Sequence, residues 1–200
     1  MNPIKKDRFS IVFNQDGYLE LVDFIKNNDF NKILILTDDN TKENCLDIFL
    51  SSITAANPEV SNLIISKLFY YSVKPGENSK NIDTSIEVWE FLIKKGFKRV
   101  DLIINLGGGM ITDLGGFVAS TFMRGIKFVN VPTTLLGMVD ASIGGKTGID
   151  FREIKNIIGV FGFAKIVLVD YRFLSTLNKR QKIAGYAEMI KHILIGKTSE

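Results

Sequence analysis

The chain has 200 residues, 46% of them hydrophobic and 24% charged, the composition of an ordinary globular protein with room for one sizeable core. Its 25 basic and 22 acidic residues leave a net charge of +3, too even a balance to give a footprint for nucleic acid or an anionic membrane. Cys45 is the single cysteine, which excludes a disulfide framework or a thiolate metal cluster; no apolar run approaches the ~20 residues that cross a bilayer, and MNPIKKDRFS lacks the apolar stretch of a secretory signal, so a cytoplasmic protein is expected.

In chain order, YLELVDFIKNN (18–28) reads as a helix with Leu19, Val22 and Ile25 on its apolar side. KILILTDDN (32–40) is a short apolar run ending in polar turn residues, the pattern of a strand buried on both faces. SKNIDTSIEVWEFLIKKG (79–96) carries Ile82, Ile86, Trp89 and Ile93 at three- and four-residue steps, with Gly96 closing the helix. DLIINL (101–106), FVNVP (128–132) and KIVLVD (165–170) read as further buried strands, with a helix over about 112–120 between the first two. Strand and helix alternate, which predicts an α/β fold with a largely parallel sheet flanked by helices. From Asn178 to about Ile195 the pattern is purely helical, with Ile183, Ala187, Ile190 and Leu194 as its stripe. No strand follows it, so a second, helical domain is expected to begin near residue 178 and to continue past residue 200.

INLGGGMITDLGGF (104–117) places three consecutive glycines after a predicted strand and before a predicted helix. There, backbone N–H groups and the helix dipole favour a phosphate, and Gly107, Gly108 and Gly109 permit unusual φ/ψ and close approach. The plainer reading is a strand–helix corner, with Gly115 and Gly116 letting the helix lie close to the sheet. The pattern is not G-x-G-x-x-G, and both readings stand. VPTTLLGMVDASIGGKTGID (131–150) is too rich in small and polar residues to be mostly core. Thr133 and Thr134 suit a helix N-cap that also meets a ligand. Asp140 and Lys146, embedded in apolar and glycine sequence, are read as functional rather than as a solvated pair. Lys155 and Asn156 precede an apolar run; a lysine there suits a phosphate or carboxylate, and a plain surface lysine is the alternative. Arg124, before Gly125, is a helix C-cap residue or an anion contact. Glu188, Lys191 and His192 stand at i, i+3 and i+4 and share one helix face. Glu188 and His192 offer a metal two donors, one short of the three that catalytic zinc takes from protein; a Glu188–Lys191 salt bridge is the plain reading.

Five segments in order, PGENSK (75–80), GGGMITDLGGFVASTFMRG, VPTTLLGMVDASIGGKTGID, KNIIGVF and AEMIKH (187–192), resemble the 3-dehydroquinate synthase family. The resemblance implies a Rossmann-like NAD-binding α/β domain over 1–177. Residues 178–200 would then begin an α-helical substrate and metal domain, most of it outside this sequence. It also implies a cytoplasmic homodimer that acts on a small sugar phosphate with a divalent metal, zinc or cobalt, and has no nucleic-acid or membrane partner. The family cyclises 3-deoxy-D-arabino-heptulosonate 7-phosphate to 3-dehydroquinate in the shikimate pathway. NAD transiently oxidises a secondary alcohol, phosphate is eliminated, the ketone is reduced back, and an aldol step closes the ring.

Carried over by motif, Asp38 and Asn40 lie near the adenosine end of NAD. Glu77, Lys80, Gly108, Gly109, Met110, Ile111, Thr112, Asp113, Thr133 and Thr134 also contact NAD, and Phe173, Leu174, Ser175 and Thr176 close over it. Asp140, Lys146, Lys155 and Asn156 surround the nicotinamide and substrate, Arg124 takes the substrate phosphate across a dimer interface, Glu188 is a metal ligand, and Lys191 reaches the substrate. Thr112 and Ile154 stand where the family usually has glycine. The family's two metal-binding histidines lie downstream of the Glu188 motif, in sequence this chain does not contain, so the chain is expected to be inactive alone. Alternatives are another sugar-phosphate cyclase of the 2-deoxy-scyllo-inosose or valiolone type, a metal-dependent alcohol or glycerol dehydrogenase, and an NAD-binding module without catalytic competence. PGENSK and the stretch from Asp140 to Lys146 favour a cyclase over the dehydrogenase.

Overall fold

A computed structural model of the chain describes residues 3–5 and 8–196. Its strands are β1 (Ile4–Lys5), β2 (Ser10–Phe13), β3 (Ile33–Asp38), β4 (Leu68–Val73), β5 (Leu102–Gly107), β6 (Lys127–Pro132), β7 (Lys146–Phe151), β8 (Ile154–Phe161) and β9 (Ile166–Val169). Its helices are α1 (Asn14–Asn28), α2 (Asp39–Ala56), α3 (Pro58–Ser66), α4 (Ile82–Lys94), α5 (Gly109–Thr121) and α6 (Lys179–Gly196). Seven strands form one sheet in the order β1-β2-β9-β6-β5-β3-β4, and β7 and β8 form a separate antiparallel hairpin. Within the large sheet β1 and β2 are antiparallel and the other neighbours are parallel. The expected α/β class with a largely parallel sheet is therefore observed.

Both faces of the sheet are covered, as parallel strands require. Ile33 and Ile35 belong to the core on the α1–α3 side, with Tyr18, Leu21, Phe49 and Ile53. Leu34 and Leu36, on the opposite face, pack with Val88, Leu92, Leu114 and Val118 of α4 and α5. The run reads as continuously apolar because alternate side chains enter two different cores.

Two helix stripes differ from expectation. On α1 the buried set is Tyr18, Leu21, Val22 and Ile25, and Leu19 is 44% exposed. On α4 the sheet-facing residues are Ser85, Val88 and Leu92, while Ile86 and Ile93 are 42% and 66% exposed. The 3.6-residue period was legible in both helices, but the phase was not. Apolar residues occupy both sides of α4, and the buried face includes small Ser85, which hydropathy passes over. Gly96 does close α4, at φ +66°, with Phe97 N–H donating to Leu92 C=O at 2.9 Å.

The connections set the position of the site. From β3 the chain passes through α2 and α3 to the edge strand β4, then returns through α4 to β5 on the other side of β3. The winding direction thus reverses between β3 and β5. In open α/β sheets such a reversal leaves a crevice at the carboxyl ends of the strands. The segments starting at Asp38 and Gly107 flank it. Among the described residues no helix is long and apolar enough to cross a membrane.

Candidate functional site

β5 ends at Gly107 and α5 starts at Gly109, three residues earlier than its sequence suggests. The N-cap, Gly108, has φ −72° and ψ −172° and supplies no side-chain cap. The first-turn N–H groups at this helix end thus have no side-chain acceptor from the cap, which suits an anion. Unusual dihedrals are not the reason for the glycines: the positive-φ glycines are Gly76, Gly96, Gly125, Gly144 and Gly145. Space is the reason. A Cβ would lie 2.6 Å from Ile111 at Gly107, 3.0 Å from the Thr134 methyl at Gly108, and 3.1 Å from Ala141 at Gly109. A Cβ at Gly115 would fall inside the Asn105 side chain, and one at Gly116 inside Thr147. The plain reading, close approach of the helix to the sheet, holds for Gly115, which meets β5, while Gly116 makes its close approach to Thr147 of the β7–β8 hairpin. The side chains of Ile111 and Thr112 are buried, and the Thr112 hydroxyl donates to Gly109 C=O at 3.0 Å.

Asn105 and Asn130 are register partners on β5 and β6. Asn105 Nδ2 donates to Asn130 Oδ1 at 2.9 Å, and Asn130 Nδ2 donates to Ser142 C=O at 3.2 Å. Thr133 N–H donates to Gly107 C=O at 2.9 Å, and Thr134 Oγ1 accepts from Gly137 N–H at 3.1 Å, so the expected cap role of Thr134 is observed. These bonds fix the π-helical turn Gly137–Ala141, which carries Asp140 at the cleft.

The β7–β8 hairpin lies across α5 and brings Lys146 and Asn156 to the same side. A cleft of ≈ 660 Å³ is lined by Asp113, Asp140, Ile143, Lys146 and Asn156. Lys155 lines a neighbouring hollow with Glu77, Lys80 and Asp150. Lys155 and Asn156 thus face different spaces, with Asn156 turned by a left-handed backbone at φ 53°. Between the two spaces sits Lys80, 3% exposed, its Nζ 2.7 Å from Glu77, 3.3 Å from Asp113 and 3.8 Å from Asp150, donating to Asn156 Oδ1 at 2.7 Å. Burial works against the Lys80 charge, but the Glu77 hydrogen bond and the charges of Asp113, Glu77 and Asp150 outweigh it and hold its pKa above the ordinary value. Burial pushes Asp113 up to about 6; Lys80 opposes this, and Glu77 and Asp140 reinforce it. Asp150, which the sequence reading passed over, also accepts from Asn156 N–H at 2.8 Å and holds that residue at φ 53°.

α6 crosses the turn after β6 at Gly185, its one buried residue, where a Cβ would lie 2.5 Å from Leu135. One turn on, Glu188 is ion-paired to Lys191, as the plain reading expects, and lies 3.4 Å from His192 Nε2. His192 Nε2 is also 3.1 Å from Asp140 Oδ1. Asp140, Glu188 and His192 thus bring three ligand-type atoms within 4.8 Å of one another. Beside the two donors expected on α6 stands a third ligand-type group, Asp140, from a turn far away in sequence. The stripe Ile183, Ile190 and Leu194 is more than half exposed.

Of the remaining expected residues, Asp38 caps α2 through Thr41 N–H at 2.8 Å, and Asn40 is exposed beside it. Phe173 is wholly buried and anchors the 3-10 helix Tyr171–Thr176, leaving Ser175 and Thr176 exposed. That helix is tied down by Asp170, fully buried, which accepts from Tyr18 OH at 3.0 Å and Arg172 Nη2 at 2.6 Å. Arg124 is not brought to the cleft. It follows α5, whose 13 residues span about 20 Å, at the opposite end of the sheet.

A family pattern described as 3-dehydroquinate synthase N-terminal matches residues 70–184. A 3-dehydroquinate synthase of Parabacteroides distasonis is 42% identical over 185 residues, 92% of this chain and 50% of that protein; the chain thus spans about half the length of such relatives. A solved structure of 2-epi-5-epi-valiolone synthase from Streptomyces hygroscopicus, with NAD+ and Zn2+ bound, is 28% identical, with TM-score 0.72 over 96% of this chain and 51% of that one. One of 2-deoxy-scyllo-inosose synthase, complexed with carbaglucose-6-phosphate, NAD+ and Co2+, shares the fold at 24% identity, with TM-score 0.79 over 96% and 51%. The match covers the hairpin, the glycine loop and the turn that carries Asp140, and with it this chain belongs to the 3-dehydroquinate synthase N-terminal family.

Proposed function

We propose that the chain is the NAD-binding part of a 3-dehydroquinate synthase. Residues 1–177 would bind the dinucleotide, and 178–200 would begin a substrate and metal domain, in a cytoplasmic homodimer. The observation that carries this reading is the α5 N-terminus, whose cap supplies no side-chain acceptor. It opens on the β3/β5 crevice beside a cleft holding Lys146, Asp140 and Asn156. Bound NAD supplies a reversible hydride acceptor, and a bound zinc or cobalt ion supplies a Lewis acid at the substrate alcohol.

The chain's own residues fit both groups. The first-turn N–H groups of α5 face the pyrophosphate position, with Gly108 and Gly109 keeping side chains out of its way. Asp38 and Asn40 flank the adenosine side after β3, and Ser175 and Thr176 follow the carboxyl end of β9 at the same edge of the sheet. For the metal, Glu188 Oε1 is shut off from solvent without a well-formed hydrogen bond and is held by ion-pair contacts alone; an anionic oxygen so placed is available to a cation. Lys146 is exposed in the cleft and reaches an anionic substrate group, and Lys80 holds Asn156 and Asp113 in position from below. Arg124, at the far end of α5, serves substrate phosphate only from a second subunit.

The test is phosphate release by the full-length protein from 3-deoxy-D-arabino-heptulosonate 7-phosphate with substoichiometric NAD. Turnover without net NADH formation is expected. Net NADH formation would mean a dehydrogenase, and turnover only on hexose or heptulose phosphates of other cyclases would reassign the substrate. The 200-residue chain is expected to bind NAD and to release no phosphate by itself.

A further inference from the structure

We propose that Asp150 is a positioning residue of the cleft: its carboxylate pins a bulge in β8 and so aims the Asn156 amide at the space shared with Lys146 and Asp140. The inference rests on the cyclase reading, in which Asn156 meets the substrate, and adds a residue to which the family resemblance assigns no role. Asp150 lies on β7 opposite the irregular part of β8. Ile149 pairs with Ile158 and Phe151 with Ile154, so Asp150 alone on β7 faces Lys155, Asn156 and Ile157 on β8. A bulge of this kind re-aims a side chain, and bulges are over-represented beside active sites. β8 is exposed over almost its whole length, so hydrogen bonds rather than packing must hold the bulge in shape.

Three of these bonds close a circuit. Asp150 N–H donates to Lys80 C=O at 2.8 Å, Asn156 N–H donates to Asp150 Oδ1 at 2.8 Å, and Lys80 Nζ donates to Asn156 Oδ1 at 2.7 Å. The circuit is shielded from water, with Lys80 and the Asp150 side chain largely buried. It fixes Asn156 in two ways. The Asp150 carboxylate holds its backbone at φ 53°, a left-handed conformation that asparagine tolerates better than most residues but that still needs a contact to keep it. A lysine ammonium can only donate, so it must meet Oδ1, and it leaves the two N–H donors of Nδ2 for the cleft that Asn156 lines. A donor so placed suits a hydroxyl, carbonyl or phosphate oxygen of a sugar phosphate. The charge of Asp150 is the lesser part. Its oxygen lies 3.8 Å from Lys80 Nζ, while Glu77 and Asp113 stand closer, at 2.7 and 3.3 Å. Its short contact is to the Asn156 N–H, which makes its role geometric.

Three variants separate geometry from charge. Asp150→Asn keeps an acceptor oxygen in place and drops the charge, Asp150→Glu keeps the charge and displaces it by a methylene, and Asp150→Ala removes both. In the 200-residue chain, hydrogen exchange at the Asn156 amide, followed by NMR, should quicken by ~10-fold or more in Asp150→Ala and Asp150→Glu, and Asp150→Asn should stay nearer wild type. In the full-length protein, kcat for phosphate release should fall in the first two by up to ~100-fold, the effect of a misplaced contact, and recover in Asp150→Asn. Asn156→Ala closes a double-mutant cycle: Asp150→Ala should add little to it, because it acts through that residue. Thermal melts confirm that each variant is folded, and the Asn and Glu variants, which open no cavity, carry the test if Asp150→Ala does not fold. Unchanged Asn156 exchange in folded Asp150→Ala or Asp150→Glu, rescue of turnover by Glu rather than Asn, or a cycle in which the two losses simply add, overturns the proposal. The cyclase reading fails separately: a wild-type protein that releases no phosphate, while Asn156 exchange still depends on Asp150, sinks that reading and upholds Asp150 as the residue that aims Asn156.

Discussion

Replacing Lys80 with methionine keeps the buried aliphatic stem and deletes the charge that Glu77, Asp113 and Asp150 share. Removing one partner from a buried ionic group leaves the others uncompensated and costs about 3–5 kcal/mol. Asp113 and Asp150 have side chains only 20% and 16% exposed, so solvent offers them little relief, whereas the half-exposed Glu77 rehydrates and keeps the cost toward the lower end. The loss should depend on pH in a defined direction. Asp113 is pushed from 3.8 to about 6 in the folded chain, chiefly by burial, a gap of roughly 3 kcal/mol. A raised folded-state pKa means that the folded chain binds the proton more tightly than the unfolded one. Its contribution is complete below pH 3.8 and is lost as pH rises through 6. Lys80 limits that rise, so in Lys80→Met the Asp113 pKa climbs further and the loss extends to higher pH. The cost of Lys80→Met should therefore be larger at pH 7.5 than at pH 5 by at least ~1 kcal/mol. Urea unfolding of both proteins at pH 5, 6 and 7.5 measures it, and groups that titrate alike in both cancel in the difference. Adding Asp113→Asn to Lys80→Met should flatten the profile. A cost independent of pH, or a double variant as pH-sensitive as Lys80→Met, would refute the coupling.

Gly115→Ala forces a methyl into the space of Asn105 and should destabilise the chain by about 1–3 kcal/mol through overpacking, plus the loss of the Asn105–Asn130 bond. Thermal melts should show that Asn105→Ala relieves part of this in the double variant; simple additivity would mean the two do not collide. In the full-length protein Lys146→Ala should cut phosphate release strongly and change stability by less than ~0.5 kcal/mol, because Lys146 is exposed; a large stability loss with normal turnover would show a structural lysine.

The central strands were legible because each is a short apolar run with turn residues at its end, and a parallel sheet buries such runs on both faces. Helix phase was less legible. In α4 the bulky Ile86 and Ile93 outweigh Ser85 on any hydropathy scale, yet the small residue is the buried one. The β7–β8 hairpin was not legible. Its turn, Arg152–Glu153, has no asparagine–glycine signal; Arg152 adopts φ 56° unaided. β8 is almost wholly exposed, so it shows no apolar–polar alternation. Losing the hairpin also hid Asp150 and the split between Lys155 and Asn156, since that split depends on the local backbone of β8, where Asp150 holds Asn156 at φ 53°.

The site residues themselves were legible as types, but what joins them was not. Asp140 and His192 lie 52 residues apart and meet because three unrelated contacts agree. Asn130 holds the turn from below, Thr134 caps its start, and Gly185 admits α6 from above. The same holds for the glycine loop. Of the two uses read for the three glycines, unusual dihedrals are not observed and close approach is. In the structure they adopt ordinary dihedrals and instead remove Cβ atoms at surfaces formed by Ile111, Thr134 and Ala141. That removal lets the turn carrying Asp140 come down onto the start of α5. It thereby brings the α5 N-terminus, the proposed pyrophosphate site, next to the turn that carries Asp140. Close packing and ligand approach are one requirement here, because a backbone that α5 and the turn can touch without side chains is also one that a dinucleotide can touch.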